Sequence, residues 1–293
     1  MRAMIKRPHT LAAALTALSM LGAPSASLAQ TASTPPPQAL EEVPYVKTPE
    51  PVVDAILTLA EIGPGDRLID LGSGDGRIVI AAARRFGIRA LGVEIDPSLV
   101  TLSNARAAEA GVADRVRFAA QDLFETDLRD ATVITLYLLP DVNLALRPRL
   151  LALAPGTRIV SHDWDMGDWP SDRSVEVDAP GKTVGLVKRS KVHRWTVPAR
   201  IEGRWRGAID DPAGSRPLEV AFTQRFQQLA FAEDSAQGVR DAPAGRVDGT
   251  GVRLALRLDG RDLVLEGTVD GDRLSGRTRL GAREVDWRLR RAR

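Results

Sequence analysis

The chain contains no cysteine among its 293 residues. This absence excludes disulfide bonds, thiolate nucleophiles and cysteine-ligated metal sites together. It also suits an exported protein, in which a free thiol would be exposed to oxidation. The sequence shows no repeat with a period of roughly 20 to 50 residues, so we do not expect a solenoid or a propeller.

The apolar run near the N-terminus, residues 11–21, is too short for a transmembrane helix, which needs about 20 apolar residues. Basic residues precede it and small residues follow at 27–29, which is the pattern of a secretory signal. We predict a cleaved signal peptide over residues 1–29, an exported and periplasmic protein, and no transmembrane span in the mature chain. The alternatives are an uncleaved anchor, or a start at Met20 that leaves a cytoplasmic protein.

The sequence also lacks a strong excess of either charge. The formal net charge is +2, and the signal region contributes three cations and no acid, so the remainder is close to −1. A nucleic-acid partner would favour a basic protein, and we therefore predict none. The hydrophobic fraction of 44% is that of an ordinary globular protein and excludes a largely disordered chain.

Short apolar runs alternate with helical patterns after a flexible leader at residues 30–43. The spacing predicts strands at 67–71, 89–94, 115–119, 132–138 and 157–162, with helices from Pro49 and at 76–86, 97–110 and 142–153. Such alternation indicates an α/β fold with a doubly wound, mostly parallel sheet, here over residues 44–198. Ligands of such sheets bind beyond the carboxyl ends of the strands.

The pattern changes after about Pro198. Apolar residues alternate with arginine and alanine over 252–258, and Asp-Gly pairs punctuate the region. Period-two alternation with Asp-Gly turns is typical of antiparallel hairpins. Residues 199–293 are therefore predicted to form a small antiparallel β domain of seven or eight strands, a sandwich or barrel of unknown role.

The main chemical motif is DLGSGDG at residues 70–76, a buried strand that runs through a glycine loop into a helix. Glycine lets the backbone approach a ligand closely, and the helix N-terminus offers unpaired amides. The last two glycines are only two residues apart, which disfavours a dinucleotide fingerprint. A nucleotide-like ligand is indicated, although the loop alone is also compatible with a tight turn.

Acidic residues end the next two strands. Glu94 lies about 20 residues beyond the loop, where a carboxylate can accept both ribose hydroxyls. Asp122 follows the third strand, where it can accept from an adenine amine. Each alone is equally compatible with a solvated helix cap.

In this order the motifs resemble the class I, seven-strand S-adenosylmethionine-dependent methyltransferases over residues 44–198. The resemblance implies S-adenosyl-L-methionine as cofactor, its methionine part near the loop, its ribose at Glu94 and its adenine at Asp122. The implied loop contacts are Asp70, Gly72, Ser73, Gly74, Asp75 and Gly76.

Pro44-Tyr45-Val46, together with residues 70–79, is similar to a narrower group, the mitochondrial-type protein-lysine methyltransferases that act on ATP synthase subunit c or the adenine nucleotide translocase. That resemblance implies Tyr45 as a lid beside the cofactor, and a protein lysine as acceptor. The other interpretation of Tyr45 is a hydrophobic staple before the helix. The export signal and the β domain depart from this group, so a small amine stays open as the acceptor.

On the acceptor side we predict Tyr137 and Asp163 as catalytic residues. Tyr137 follows the fourth strand, and Asp163 begins an acidic and aromatic stretch after the fifth. Aromatic and acidic side chains together favour a cationic acceptor. We predict no metal, and no Ser161-His162-Asp163 hydrolase triad, because neighbours on a strand point to opposite faces.

Two other functions stay compatible with the sequence. One is a non-catalytic protein that senses S-adenosylmethionine or a nucleotide, or binds an envelope partner through the β domain. The other is a methyltransferase with a small-molecule acceptor. Acceptor pockets are shaped by loops, which a single sequence does not reveal.

Overall fold

Seven strands of the first part of the chain form a single sheet. The computed structural model describes residues 44–211, 214–232, 244–258 and 260–292. The sheet strands are β1 (Arg67–Leu71), β2 (Arg89–Glu94), β3 (Val116–Ala120), β4 (Val133–Leu136), β5 (Arg158–His162), β6 (Arg173–Asp178) and β7 (Arg189–Thr196). Their order is β3-β2-β1-β4-β5-β7-β6. The first five run parallel, and β7 runs antiparallel to β5 and β6.

Helices cover both faces of this sheet. They are α1 (Glu50–Leu59), α2 (Arg77–Phe86), α3 (Pro97–Glu109) and α4 (Pro140–Leu150). Leu68 of β1 packs with α1 and α2, whereas its neighbour Ile69 packs with α4. Successive strand residues face opposite sides, so the two clusters are cores on the two faces. The predicted doubly wound, mostly parallel sheet is confirmed.

Most element boundaries differ from the sequence prediction by up to three residues, and two of these differences affect the site. Helix α1 begins at Glu50 with Pro49 at its N-cap, and Thr48 lies outside the helix with its hydroxyl 3.4 Å from His162 Nδ1. Strand β4 ends at Leu136, two residues earlier than predicted, because its pairing with both β1 and β5 ends there. Tyr137 therefore lies in the loop beyond the strand.

The remaining strands close into an antiparallel barrel of eight strands. They are β8 (Gly203–Ile209), β9 (Arg216–Arg225), β10 (Gln228–Phe231), β11 (Gly245–Asp248), β12 (Gly251–Leu258), β13 (Arg261–Asp270), β14 (Arg273–Leu280) and β15 (Arg283–Arg291). Along β12 the valine and the three leucines are buried, whereas Arg253, Ala255 and Arg257 are exposed, as the alternation predicted. Eight strands leave an interior that side chains can fill. Trp205 and Trp287 are both fully buried there.

The predicted signal peptide, residues 1–29, and the leader, residues 30–43, lie outside the described residues. Export and the alternative start at Met20 therefore stay predictions. Among the helices that the structure does describe, none has the length and apolar character needed to cross a membrane.

The turn between β9 and β10 joins the barrel to the core of the sheet. Phe226 stacks on Trp169 with ring centroids 5.9 Å apart. Trp169 Nε1 donates to Gln227 Oε1 at 2.9 Å, and Gln227 Nε2 donates to Asp172 Oδ1 at 2.9 Å. Trp169 and Gln227 are both buried, so each satisfies a hydrogen-bonding group of the other that water does not reach.

We therefore expect Gln227→Ala to reduce the free energy of unfolding by about 1–3 kcal/mol, because it leaves the buried Trp169 indole N–H without its acceptor. Urea unfolding followed by tryptophan fluorescence measures this difference. Gln228→Ala is the matched control, since Gln228 is an exposed neighbour on the same hairpin. Equal stability of the two variants would contradict the prediction.

Candidate active site

The glycine loop between β1 and α2 has the backbone conformation that only glycine adopts readily. Gly72, Gly74 and Gly76 have φ values of 77°, 54° and 77°. A Cβ on Gly74 would lie 2.6 Å from Tyr45 Cε2, so the Tyr45 ring rests directly on the loop. A Cβ on Gly76 would lie 2.6 Å from Phe118 Cζ. Gly76 thus allows α2 to pack on the core.

Glu94, at the end of β2, holds this loop in place. Its Oε2 accepts a hydrogen bond from Gly74 N at 2.8 Å. Its Oε1 accepts from Ile95 N at 2.9 Å and Asp96 N at 3.1 Å. A carboxylate has about four acceptor positions, so Glu94 can still accept from a ligand hydroxyl.

Asp70, at the end of β1, is a buried carboxyl whose oxygen Oδ1 accepts a hydrogen bond from the Thr135 hydroxyl at 2.6 Å. Burial, together with the nearby charges of Glu94 and Asp75, raises the pKa of Asp70 to about 7 against the lowering effect of the Thr135 hydrogen bond. Asp70 is therefore protonated in a substantial fraction of molecules near neutral pH.

Asp75 is also buried, but arginines neutralise it. Arg77 binds its two oxygens at 2.9 and 2.7 Å, and Arg106 forms a second ion pair with it. Burial acts to raise the pKa of Asp75, but Arg77 and Arg106 outweigh it and hold that pKa well below its usual range. Burial and the hydrogen-bonded Asp75 raise the pKa of Tyr45 to about 12, so its phenol stays protonated. Asp75 thereby fixes the ring over the loop.

These groups surround a cavity of about 240 Å³ at the carboxyl ends of β1, β2 and β4. The predicted residues that line it are Tyr45, Asp70, Gly72, Ser73, Gly74, Asp75, Glu94, Asp122 and Tyr137. Gly76 is not among the residues that line it. The buried Ser73 hydroxyl has no hydrogen-bond partner within the described residues. The cavity thus offers carboxylates and glycine backbone, which suit an adenosyl and amino-acid ligand.

The rim beyond Glu94 is formed by the end of β3. Asp122 Oδ1 accepts from Phe124 N at 2.7 Å and caps a short 3-10 turn at Leu123–Glu125. Gln121, Leu123 and Phe124 line the cavity beside it. The rim therefore combines apolar side chains with a carboxylate, as an adenine ring requires.

A second cavity, of about 370 Å³, adjoins the first. Pro44, Val46, Tyr137 and Leu138 line both of them, so they form a shared wall. The residues that line only the second are Leu139, Asp163, Trp164, Lys182, Val184 and Gly185.

Asp163 is the charged centre of the second cavity. Its φ of 63° is unusual for a non-glycine residue, and its Oδ1 accepts from Lys191 N at 3.0 Å. Its Oδ2 lies 2.7 Å from Lys182 Nζ. Burial acts to raise the pKa of Asp163, but Lys182 and the other donors outweigh it and lower that pKa. Burial and the hydrogen-bonded Asp163 raise the pKa of Tyr137 to about 12, so Tyr137 is a neutral donor.

The His162 ring packs against the ring of Tyr137. The two rings stack with centroids 3.8 Å apart. His162 Nε2 lies 2.8 Å from Ser190 Oγ, and Nδ1 lies 3.4 Å from Thr48 Oγ1. Burial lowers the pKa of His162 to about 4 against the opposing charge of Asp163. The imidazole is therefore neutral at physiological pH and positions the Tyr137 ring.

The other two acidic residues of the stretch after β5, Asp165 and Asp168, do not line the second cavity. Asp165 accepts from a neighbouring amide, and Asp168 is paired with two arginines. Ser161 Oγ donates to the Trp164 carbonyl at 2.6 Å instead of to His162, so no hydrolase triad is formed. Across residues 44–292 as described, no three His, Asp or Glu side chains converge as a metal site.

Several residues of the site were not predicted from the sequence. Arg77 follows Asp75 by two residues, and this spacing alone is a local signal for the ion pair. Arg106 lies on α3, and only the packing of α3 on the loop brings it to Asp75. Lys182 lies in a loop with no recognisable pattern, so no local signal identified it.

The family model described as the ANTKMT methyltransferase domain matches residues 70–173. A protein-lysine N-methyltransferase of Saccharolobus islandicus (strain REY15A) is 41% identical over 138 residues, which cover 46% of this chain and 86% of that protein. The mouse adenine nucleotide translocase lysine N-methyltransferase is 39% identical over 130 residues, which cover 44% of this chain and 56% of that protein. The chain thus spans about half the length of this animal relative.

Among solved structures, the chain is similar to an RNA methyltransferase from Salinibacter ruber in complex with S-adenosyl-L-homocysteine. The identity is 55%, the match covers 53% of this chain and 96% of the other, and the TM-score is 0.48.

The state of Asp70 gives a pH-dependent prediction. The folded protein binds the Asp70 proton more tightly than the unfolded chain, so its stabilising effect is complete below about pH 4 and is lost as pH rises through about 7. Asp70→Asn keeps the Thr135 hydrogen bond but cannot ionise. We expect the wild type to lose stability relative to Asp70→Asn by on the order of 1.4 kcal/mol for each pH unit of this window.

Urea unfolding of both proteins at pH 5 and pH 8, without added ligand, measures the difference. A constant gap between the two proteins at all pH values would show that Asp70 does not titrate in this range.

Proposed function

This chain belongs to the S-adenosylmethionine-dependent methyltransferases, the family of the protein-lysine N-methyltransferase of Saccharolobus islandicus, and from this membership we propose that it methylates the side-chain amine of a protein lysine. The observation that carries the proposal is the second cavity. It adjoins the cofactor cavity across Tyr137 and Leu138, and it contains a carboxylate bound to an ammonium group.

In the cofactor cavity, we expect Glu94 to accept the ribose hydroxyls and Asp122 to face the adenine. The glycine loop and Asp70 face the methionine part, where a carboxylate suits an α-ammonium group. Tyr45 covers this end of the cavity. When bound, S-adenosylmethionine supplies a methyl group on a positively charged sulfur, which leaves as a neutral thioether.

The second cavity suits a lysine side chain in both of its parts. Pro44, Val46 and Leu138 form an apolar wall, along which a four-carbon stem can pack. Asp163 can hold the ammonium at the end of that stem.

Neither acceptor-side residue is a strong base. Tyr137 stays protonated, and the lowered pKa of Asp163 makes its carboxylate a poor proton acceptor. We therefore propose that Asp163 and Tyr137 orient the acceptor nitrogen, which loses its proton to water before it attacks. Alignment of the nitrogen with the methyl carbon then supplies most of the catalysis.

The experiment is methyl transfer from tritiated S-adenosylmethionine into a cell extract, followed by acid hydrolysis and amino-acid analysis. We expect the label in methylated lysine. Glu94→Ala, which releases the glycine loop, is the control for cofactor-dependent labelling. Label confined to RNA or to small molecules, or no label above that control, would overturn the proposal.

The two tyrosines of the chain provide a matched pair. Tyr137→Phe keeps the ring that stacks on His162 but removes the hydroxyl that contacts Asp163. We expect kcat to fall about tenfold or more while the Kd of S-adenosylhomocysteine changes less than twofold, because the contact is on the acceptor side.

Tyr45→Phe should instead weaken cofactor binding. Calorimetry and steady-state kinetics separate the two effects, and a fully active Tyr137→Phe enzyme would exclude Tyr137 from the acceptor site.

A further inference from the structure

We propose that Lys182 occupies the ammonium position of the acceptor site, so that an external lysine must displace it before methyl transfer. The inference rests on the proposed function, since it takes Asp163 as the group that receives the acceptor amine. It goes beyond the proposed function because it identifies Lys182 as a residue of this chain that competes with the substrate lysine for Asp163.

The contacts of Lys182 are those of a bound amine. Its Nζ lies 2.7 Å from Asp163 Oδ2 and donates to the Arg189 carbonyl at 2.8 Å. Its side chain is only 14% exposed and lines the second cavity together with Tyr137. A primary ammonium on a four-carbon stem is thus already bound at the carboxylate of this cavity.

Asp163 already binds three donors, namely the Lys191 amide, the Lys182 ammonium and the Tyr137 hydroxyl. Its Oδ1 is taken by the Lys191 amide, and its Oδ2 is the oxygen that binds Lys182. His162 Nε2 is 3.5 Å from Oδ2, but the low pKa of His162 keeps it neutral and it is no competing cation. An incoming ammonium would have to bind the same carboxylate beside the positive charge of Lys182, which would repel it, so the two ammonium groups compete for Asp163.

The segment that carries Lys182 is held by few contacts. Residues 179–188 join β6 to β7, and Val184, Leu186 and Val187 are 53%, 100% and 65% exposed. Because these side chains are already exposed, a movement of this segment removes little apolar surface from a buried environment. Lys188 Nζ donates to the Lys182 carbonyl, a contact within the segment that can travel with it.

Lysine at this position contrasts with the neighbouring ion pairs. Arginine is the cation in the pairs with Glu61, Asp168 and Asp172. The chain has only five lysines, and the one that binds the cavity carboxylate is among them. Arginine would form a stronger, bidentate pair, whereas lysine forms a compact one that a second lysine can match and replace.

The kinetic test uses poly-L-lysine as acceptor and compares three variants. Lys182→Met removes the competing charge and keeps an unbranched apolar stem. Lys182→Arg keeps the charge, and Lys191→Met is the control, because only the backbone of Lys191 is recorded in contact with Asp163. If Lys182 fills the site in about nine of ten molecules, Lys182→Met lowers the KM for poly-L-lysine about tenfold. We expect kcat and the Kd of S-adenosylhomocysteine to change less than twofold, and KM to stay unchanged or rise in the other two variants.

A second measurement does not depend on turnover. The Lys182 Cε resonance of protein labelled with carbon-13 lysine is assigned from its absence in Lys182→Arg, and n-butylammonium is then added. Displacement predicts a saturable shift of this resonance, whereas the Lys47 resonance stays in place. An unmoved Lys182 resonance together with an unchanged KM in Lys182→Met would overturn the inference. If poly-L-lysine is not methylated but the resonance shifts, the ammonium site stands and the proposed lysine acceptor fails.

Discussion

The hydrogen bond from Gly74 N to the carboxylate of Glu94 ties the first strand of the sheet to the second at the edge where ligands bind. Gly74 has no side chain, so the Tyr45 ring can rest on the same residue, and Asp75 next to it holds the Tyr45 hydroxyl. The glycine loop, Glu94 at the end of β2 and the Tyr45 ring are therefore connected to one another. A change in any of them is transmitted to the others.

Three carboxylates of the site, Asp70, Asp75 and Asp163, differ in the positive charge beside them. Asp75 is neutralised by two arginines, and Asp163 by Lys182. Asp70 has a Thr135 hydroxyl, and no cation is recorded beside it in the described part of the chain. Asp70, the carboxyl of these three that has no recorded cation, lines the cofactor cavity, where we expect a positively charged ligand to bind. Burial is the main cause of its raised pKa, and no cation is recorded beside it in the described residues to lower that pKa.

Much of the fold was predictable, because the signals for it are local. The bounds of β1 and β2 agree with the sequence prediction at 67–71 and 89–94. Apolar runs with glycine turns fix such strands, and the glycine loop with acidic strand ends was enough to predict an S-adenosylmethionine-dependent methyltransferase. Those predictions of fold, enzyme class and cofactor are confirmed.

The interactions between distant segments were not predictable in the same way. Arg106 reaches Asp75 from another helix, and Gln227 of the barrel binds Trp169 of the sheet domain. Lys182 meets Asp163 through a loop whose path depends on the pairing of β6 with β7. Each contact depends on tertiary packing, which a sequence pattern does not specify.

Two cavities meet at a wall that includes Tyr137 and Leu138, and we infer that the cofactor binds on one side of this wall and the acceptor on the other. A crystal structure with S-adenosylhomocysteine tests it most directly. We predict ribose hydroxyls at Glu94, adenine near Asp122, and the sulfur facing Tyr137 and Leu138. A ligand bound with its sulfur turned away from that wall, or bound outside the cavity beside the glycine loop, would contradict the account.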